Sequence, residues 1–252
     1  MLTSEETQAL VPELEPMTAE SLLRWALERF HPRIVFASSF GAEDVVIIDL
    51  LARIRQDVRI ITLDTGRLHE ETYQLMERIR DRYGLPIETF FPDQEAVERL
   101  EREKGFFSFR QNIEDRKECC RIRKIVPLRR ALAGLDAWIT GLRREQAMSR
   151  EQVRKLEYDT AFDLVKLNPL ADWSNSDVWD YIRSHEVPYN RLHDQHFPSI
   201  GCAPCTRAVL PGEDIRAGRW WWERPDTREC GLHGSPAPAR SDAVPLSRAT
   251  GE

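Results

Sequence analysis

The chain has 252 residues, 36 of them Lys or Arg and 42 Asp or Glu, for a formal net charge of −6. Apolar residues are 41% of the total and charged residues 31%, the balance of a globular protein long enough to bury a real core, which excludes disorder over most of the chain. Apolar runs such as Val45 to Ile48 end at once in Asp49, far short of the ~20 residues a membrane span needs. The acidic balance speaks against stable nucleic-acid binding, so neither a membrane nor a nucleic acid is an expected partner.

Residues 1–18 are polar, carry Pro12 and Pro16, and read as a flexible lead-in. The start has no basic segment followed by an apolar one, so no export signal is expected and the cytoplasm is the expected compartment. Leu22, Leu23, Trp25, Ala26, Leu27 and Phe30 recur at helical spacing. Ile34 to Ser38 is a short buried strand, and Ala42 to Ile54 a helix with Glu43 and Asp44 in the first turn, where the helix dipole favours acids. Val58 to Leu63 is a second strand, followed by Asp64-Thr65-Gly66 and a helix from about His69 to Tyr83. Pro86 to Phe91 and Ala137 to Thr140 are further strands. This alternation predicts an α/β fold, a mainly parallel sheet with helices on both faces. Ligands of such sheets bind at the carboxyl ends of the strands. Here those ends read Ser38-Ser39-Phe40-Gly41, Asp64-Thr65-Gly66 and Gly141.

After Lys166 tryptophan, proline and histidine become frequent, and Ser174 with Asp177 caps a further helix. The 18 residues after Gly234 are rich in Pro, Ser, Ala and Arg and read as a disordered tail. The domain expectation is one unit over 19–233, a catalytic segment around 225–233, and a tail over 234–252.

The turn from Ser38 to Asp44 either is an ordinary strand-to-helix turn or presents backbone N–H groups to an anion. No Gly-Lys-Ser/Thr follows, so it is not a Walker A loop. Arg143 and Arg144 after Gly141 read as a solvated pair or as a clamp for phosphate or sulfate.

Five cysteines without an export signal suggest metal or redox chemistry rather than disulfides. Cys119-Cys120 and Cys202-Ala203-Pro204-Cys205 supply four thiols. Directly adjacent cysteines suit a tetrahedral zinc poorly, whereas an iron–sulfur cube offers a separate iron to each sulfur. The belt Arg116, Lys117, Arg121, Arg123, Lys124, Arg129 and Arg130 would offset the negative charge of such a cluster. Lys124, four residues after Cys120, either links cluster and anion or is a surface lysine. Cys230 stands apart near Arg228 and His233, cations that favour a reactive thiolate.

Together these segments resemble the assimilatory adenylylsulfate and phosphoadenylylsulfate reductases, from about Phe36 to His233. The resemblance rests on Ser39 to Asp44, Leu63 to Gly66, Gly141-Leu142-Arg143-Arg144-Glu145-Gln146 and, most specifically, Glu229-Cys230-Gly231-Leu232-His233. The two cysteine pairs are similar to those of the cluster-bearing branch, whose usual substrate is adenosine 5′-phosphosulfate. The resemblance implies an adenine nucleotide α-hydrolase-like fold related to the ATP pyrophosphatases. It implies that Ser38, Ser39, Phe40, Gly41, Glu43 and Asp44 face the phosphosulfate, and that Leu63, Asp64, Thr65 and Gly66 line the nucleoside. Arg143, Arg144, Arg216 and Arg219 would hold anionic oxygens. Cys119, Cys120, Cys202 and Cys205 would hold a [4Fe-4S] cluster. Cys230 would be the nucleophile, with Lys124 and His233 assisting and thioredoxin or a similar dithiol as reductant. Ala147 departs from the family's serine. The alternatives are a reductase of the 3′-phosphorylated nucleotide, or a zinc-bearing nucleotide-binding or tRNA-modifying protein of the same fold. A homo-oligomer is left open.

Overall fold

The computed structural model describes residues 2–224, 227 and 228. Its centre is a six-stranded sheet in the order β3-β2-β1-β4-β6-β5, built from β1 (Ile34–Ala37), β2 (Arg59–Leu63), β3 (Ile87–Phe90), β4 (Ala137–Ile139), β5 (Leu156–Asp159) and β6 (Leu164–Leu167). All neighbouring pairs are parallel except β5 with β6. Side chains alternate between the two faces, as the pleat requires. Ile34, Phe36, Ile60 and Ile139 pack with α2 (Ala19–Phe30), α3 (Ala42–Ile54), α4 (Glu70–Tyr83) and α8 (Asn175–Ser184). Val35, Ile61 and Trp138 face the other way, onto α7 (Val126–Leu132).

Helix α3 is apolar on nearly every side because it lies under both the sheet and α8. One of its two buried carboxylates, Asp49, accepts hydrogen bonds from Tyr83 Oη at 2.8 Å and Tyr181 Oη at 2.7 Å, and pairs with Arg53 at 2.9 Å. One carboxylate thus joins α3, α4 and α8 and leaves no polar group orphaned there.

Residues 4–14 correct the expectation of a loose lead-in: they form α1 (Ser4–Leu14), with a Thr3–Glu6 capping box and Leu14 fully buried. The helix is anchored where Glu15 accepts from Lys155 N at 3.1 Å and pairs with Arg144. Its partner is β5, more than 140 positions on, so the capping box is its local mark and its docking left none. The β5–β6 hairpin was also unforeseen, because Lys166 interrupts its apolar pattern; Glu157 neutralises that buried ammonium at 3.2 Å.

Strand β1 has β2 on one side and β4 on the other, so the chain reverses its direction across the sheet there. A crevice opens at the carboxyl ends beside such a switch point. Its floor is the turn after β1. Ser39 donates through both N and Oγ to Asp44 Oδ2, at 2.6 and 2.8 Å. Gly141, after β4, approaches so closely that a Cβ there would collide with Asp44 Oδ1. Burial pushes the Asp44 carboxyl up to about 6, and the bonds from Ser39 only partly oppose this.

A carboxyl raised above its unfolded value stabilises the fold only while protonated. The native chain therefore loses stability as pH rises from the unfolded value of 3.8 through about 6. Asp44→Asn keeps an acceptor for Ser39 and removes this titration. Urea unfolding should show the variant gaining on wild type by on the order of 3 kcal/mol between pH 4 and pH 7. A stability difference that does not change with pH would contradict the assignment.

Candidate active site

The crevice encloses about 220 Å³. Ala37 to Ser39 and Gly41 to Asp44 enter it from β1 and α3, Thr62, Leu63 and Thr65 from β2, and Thr140 and Gly141 from β4. Four cations reach it: Lys124, Arg150, Arg216 and Arg219. Arg219 comes in over Gly201, where any Cβ would strike its guanidinium. Its Nη1 donates to Ile200 O at 3.1 Å, while its buried Nε has no hydrogen-bond partner among the described residues.

Of the residues expected to face a ligand, Ser38, Ser39, Gly41, Glu43, Asp44, Leu63, Thr65, Arg216, Arg219 and Lys124 line this cleft. Phe40, Asp64, Gly66, Arg143 and Arg144 shape it from behind. Phe40 is 1% exposed in the core, with a left-handed φ of 59° that turns the loop. Asp64 holds the turn after β2, accepting from Gly66 N at 2.8 Å and Tyr73 Oη at 3.0 Å. Gly66 has a φ of 69° and lies beneath Arg123. The Arg143 charge is matched by Glu43 at 2.8 Å and that of Arg144 by Glu15. Two arginines side by side in sequence therefore serve two internal carboxylates on different elements.

Thr140, Gln146, Ser199 and His193 also line the cleft without having been singled out for it. Thr140 was legible as a strand end. His193 was not, because its position depends on the chain returning from α8. Burial holds its imidazole below the usual histidine range, and neither ring nitrogen has a hydrogen-bond partner among the described residues.

One wall of the cleft leads directly to the cysteines. Cys119 and Cys120 close α6 (Ile113–Cys120), which continues into a π-helical stretch, Arg121–Ile125, before α7. The i→i+5 spacing of a π-turn, a feature common at functional sites, brings residues five apart into register. It relates Lys124 to Cys119 as well as to Cys120. Cys202 and Cys205 flank a short turn that is tied down by Ala203 N donating to Arg67 O at 2.8 Å. All four thiols are buried, and they share one apolar cluster with Leu100, Phe109, Ile122 and Trp220.

Burial pushes the Cys119 thiol up, against Arg123, Arg67 and Lys124. Burial and the Cys202 charge push Cys205 up to about 12. Cys202 goes the other way: burial alone would raise it, but Lys124, the Thr65 hydroxyl at 3.3 Å, Arg219 and Arg123 together bring it below the ordinary thiol value. Lys124 and Arg219 thus act on the cleft and on the cysteines at once.

Arg123 is almost fully buried between the two regions. It donates to Thr65 O at 2.7 Å and pairs with Glu101 at 2.6 Å, and Glu101 also pairs with Arg67 at 2.9 Å. Cys230 and His233 lie outside the described residues.

Residues 33–208 match the model of the phosphoadenosine phosphosulfate reductase domain. The chain is 54% identical over 200 residues to an adenosine 5′-phosphosulfate reductase of Allochromatium vinosum, covering 79% of this chain and 78% of the relative. To the adenosine 5′-phosphosulfate reductase of Burkholderia cepacia it is 47% identical over 247 residues, or 96% and 98% of the two chains. Among solved structures, a phosphoadenylyl-sulfate reductase from Candida auris superposes with a TM-score of 0.71 at 27% identity, over 83% of this chain and 98% of that one. A family model spanning well over half of the chain, and taking in the strand-end turns of the cleft and the cysteine turn, places this chain in the phosphoadenosine phosphosulfate reductase domain family.

Proposed function

We propose that the chain reduces adenosine 5′-phosphosulfate to sulfite and AMP, in sulfate assimilation and cysteine biosynthesis, with a protein dithiol such as thioredoxin as electron donor. The observation that carries this reading is the shared wall. Lys124 and Arg219 line a cleft suited to an anionic nucleotide and both act on Cys202, which itself lines the cleft and belongs to the cluster of four thiols. The relatives' printed names support the choice of nucleotide. In this reading residues 19–233 form one catalytic domain in the cytoplasm. Among the described residues no helix is long and apolar enough to cross a membrane.

The four cysteines fit a [4Fe-4S] cluster. They are buried together and have cations beside them. Two of the four are directly adjacent, which suits a tetrahedral zinc poorly, so the donor set suits a larger group better. When bound, the cluster would supply a fixed polarising charge beside the cleft.

The chain's own residues do the rest. The turn Ser38 to Asp44 and the glycine at 141 bring backbone close to the nucleotide. Lys124, Arg150, Arg216 and Arg219 take the phosphosulfate charge and stabilise the negative charge that develops on the leaving phosphate. The Cys230 thiolate attacks the sulfate sulfur, the bond from sulfur to the phosphate oxygen breaks, and AMP leaves with that electron pair. His233 and Arg228 favour the thiolate. A thiolate of the dithiol then attacks Cys230 Sγ, and sulfite leaves with the electrons of the broken S–S bond. The second thiol resolves the mixed disulfide and regenerates Cys230, so the dithiol supplies both electrons.

Sulfite release should show a higher kcat/KM with adenosine 5′-phosphosulfate than with its 3′-phosphorylated form; the opposite preference would overturn the substrate assignment. Without reductant, mass spectrometry should find one SO₃ on the peptide containing Cys230. Cys230→Ser should keep nucleotide binding and visible absorption yet release no AMP. An adduct on another cysteine would remove Cys230 from the reaction. Lys124→Ala should slow adduct formation by about 10²-fold while iron stays at about four per chain. Unchanged kinetics would return Lys124 to a merely surface role.

A further inference from the structure

A second surface lies on the outer side of the cysteine cluster. Phe106 and Phe107 follow the end of α5 (Gln94–Lys104) and are 66% and 60% exposed. The other large exposed apolar side chains, such as Met148 and Leu210, stand singly along the sequence. Phe107 adjoins a pair of tryptophans through Arg110. The Arg110 guanidinium lies 5.4 Å from the Phe107 ring, 5.6 Å from Trp221 and 5.3 Å from Trp222. Phe107, Trp221 and Trp222 therefore surround one cation, Arg110, with exposed Phe106 next to Phe107 in the chain, the composition found at the centres of protein interfaces.

The patch is held in place from below. Arg67 donates to Phe106 O at 2.8 Å, and Arg110 to Pro204 O in the cysteine turn at 3.1 Å. Trp222 packs on the cluster that contains the four thiols, and its ring lies 4.7 Å from that of Trp221. A surface so braced loses little freedom when a partner covers it.

The same patch adjoins the root of the segment that carries Cys230. Arg228 donates to Glu223 O at 2.7 Å, Arg216 donates to Arg228 O at 3.0 Å, and buried Arg116 donates to Thr227 O at 2.8 Å. These bonds fix residue 228 beside the tryptophans. Cys230 follows only two positions later in the sequence, so the covalent chain tethers it to this root. Any macromolecule that delivers a thiol to sulfur on Cys230 must stand over this neighbourhood.

We propose that Phe106, Phe107, Arg110, Trp221 and Trp222 form the docking surface for the protein dithiol that releases sulfite from sulfonated Cys230. This rests on the reductase reading given above. The partner it fits has an apolar rim around its reactive thiol and a carboxylate or carbonyl facing Arg110. Docking places the partner's thiolate to attack Cys230 Sγ; the S–S bond to the sulfonate breaks and sulfite departs with its electron pair. A small, partly apolar contact suits a transient redox encounter. A stable dimer of this chain commonly needs about 20–30 residues a side, far more than this patch offers.

The test isolates the second half-reaction. Enzyme loaded with the SO₃ adduct is mixed with thioredoxin or with dithiothreitol, and sulfite release is timed for wild type, Phe107→Ser and the double variant Phe106→Ser/Phe107→Ser. The exposed positions allow these variants to fold, and intact visible absorption and normal adduct formation check it. With thioredoxin the second-order rate should fall about tenfold or more in the double variant, as loss of an interface anchor does. With dithiothreitol it should not change, because a small dithiol needs no docking surface. An unchanged thioredoxin rate overturns the proposal. So does an equal fall with both dithiols, or a dimer that the variants dissociate while the thioredoxin rate holds. Failure of the wild-type enzyme to form any adduct would instead sink the reductase reading itself.

Discussion

An anion-binding cleft and four buried thiols can share a wall only if cations stand in it. Thiolates crowded in an apolar pocket repel one another and any incoming phosphosulfate, and burial removes the water that would screen them. Arg123, Lys124 and Arg219 fill that wall. The divergence of the cysteines shows the effect of position: burial and the Cys202 charge push Cys205 up to about 12, while Cys202, beside Lys124 and the Thr65 hydroxyl, falls below its ordinary value. The π-helical stretch Arg121–Ile125 lets one helix supply both the thiols and the cations.

The rest of the fold positions that wall. Reversal of strand order at β1 opens the crevice, and Gly141 lets β4 close against Asp44 without a side chain between them. Glu101 holds Arg67 and Arg123 together, and Arg123 holds the carbonyl of Thr65, so the turn after β2 and the cysteine helix move as one body. Trp220 has guanidinium groups near its ring from Arg116, at 4.8 Å, and from Arg219, at 4.7 Å. Such stacked cations keep their charge where a lysine would need more water. The outer aromatic patch is a continuation of this arrangement rather than a separate feature, because Arg110 bonds the same turn that carries Cys202 and Cys205.

Much of this was written locally. Short apolar runs marked four strands, three of them with small or polar residues at their ligand-facing ends, because the pleat and the helix period leave direct traces in sequence. Paired cysteines in a basic belt marked the second site, because few other arrangements need that composition. Long-range partnership left no such trace. Whether an arginine faces solvent, a ligand or an internal carboxylate depends on what folds opposite it, and Arg143 and Arg144 proved to be committed to Glu43 and Glu15. The amphipathic signal of α1 was weak because its stability comes from docking on β5, and His193 reached the cleft only through the return of the chain after α8.

The sequence by itself thus determined the α/β class, the strand ends that carry the cleft and the residue types able to hold an anion and a cluster, since local periodicity, turn chemistry and thiol spacing are short-range properties. Only the tertiary structure decided which cations enter the cleft, which are spent on internal carboxylates, and that the two sites share one wall. Charge pairing and burial are set by neighbours more than a hundred positions away, and no local pattern of residues encodes their distance.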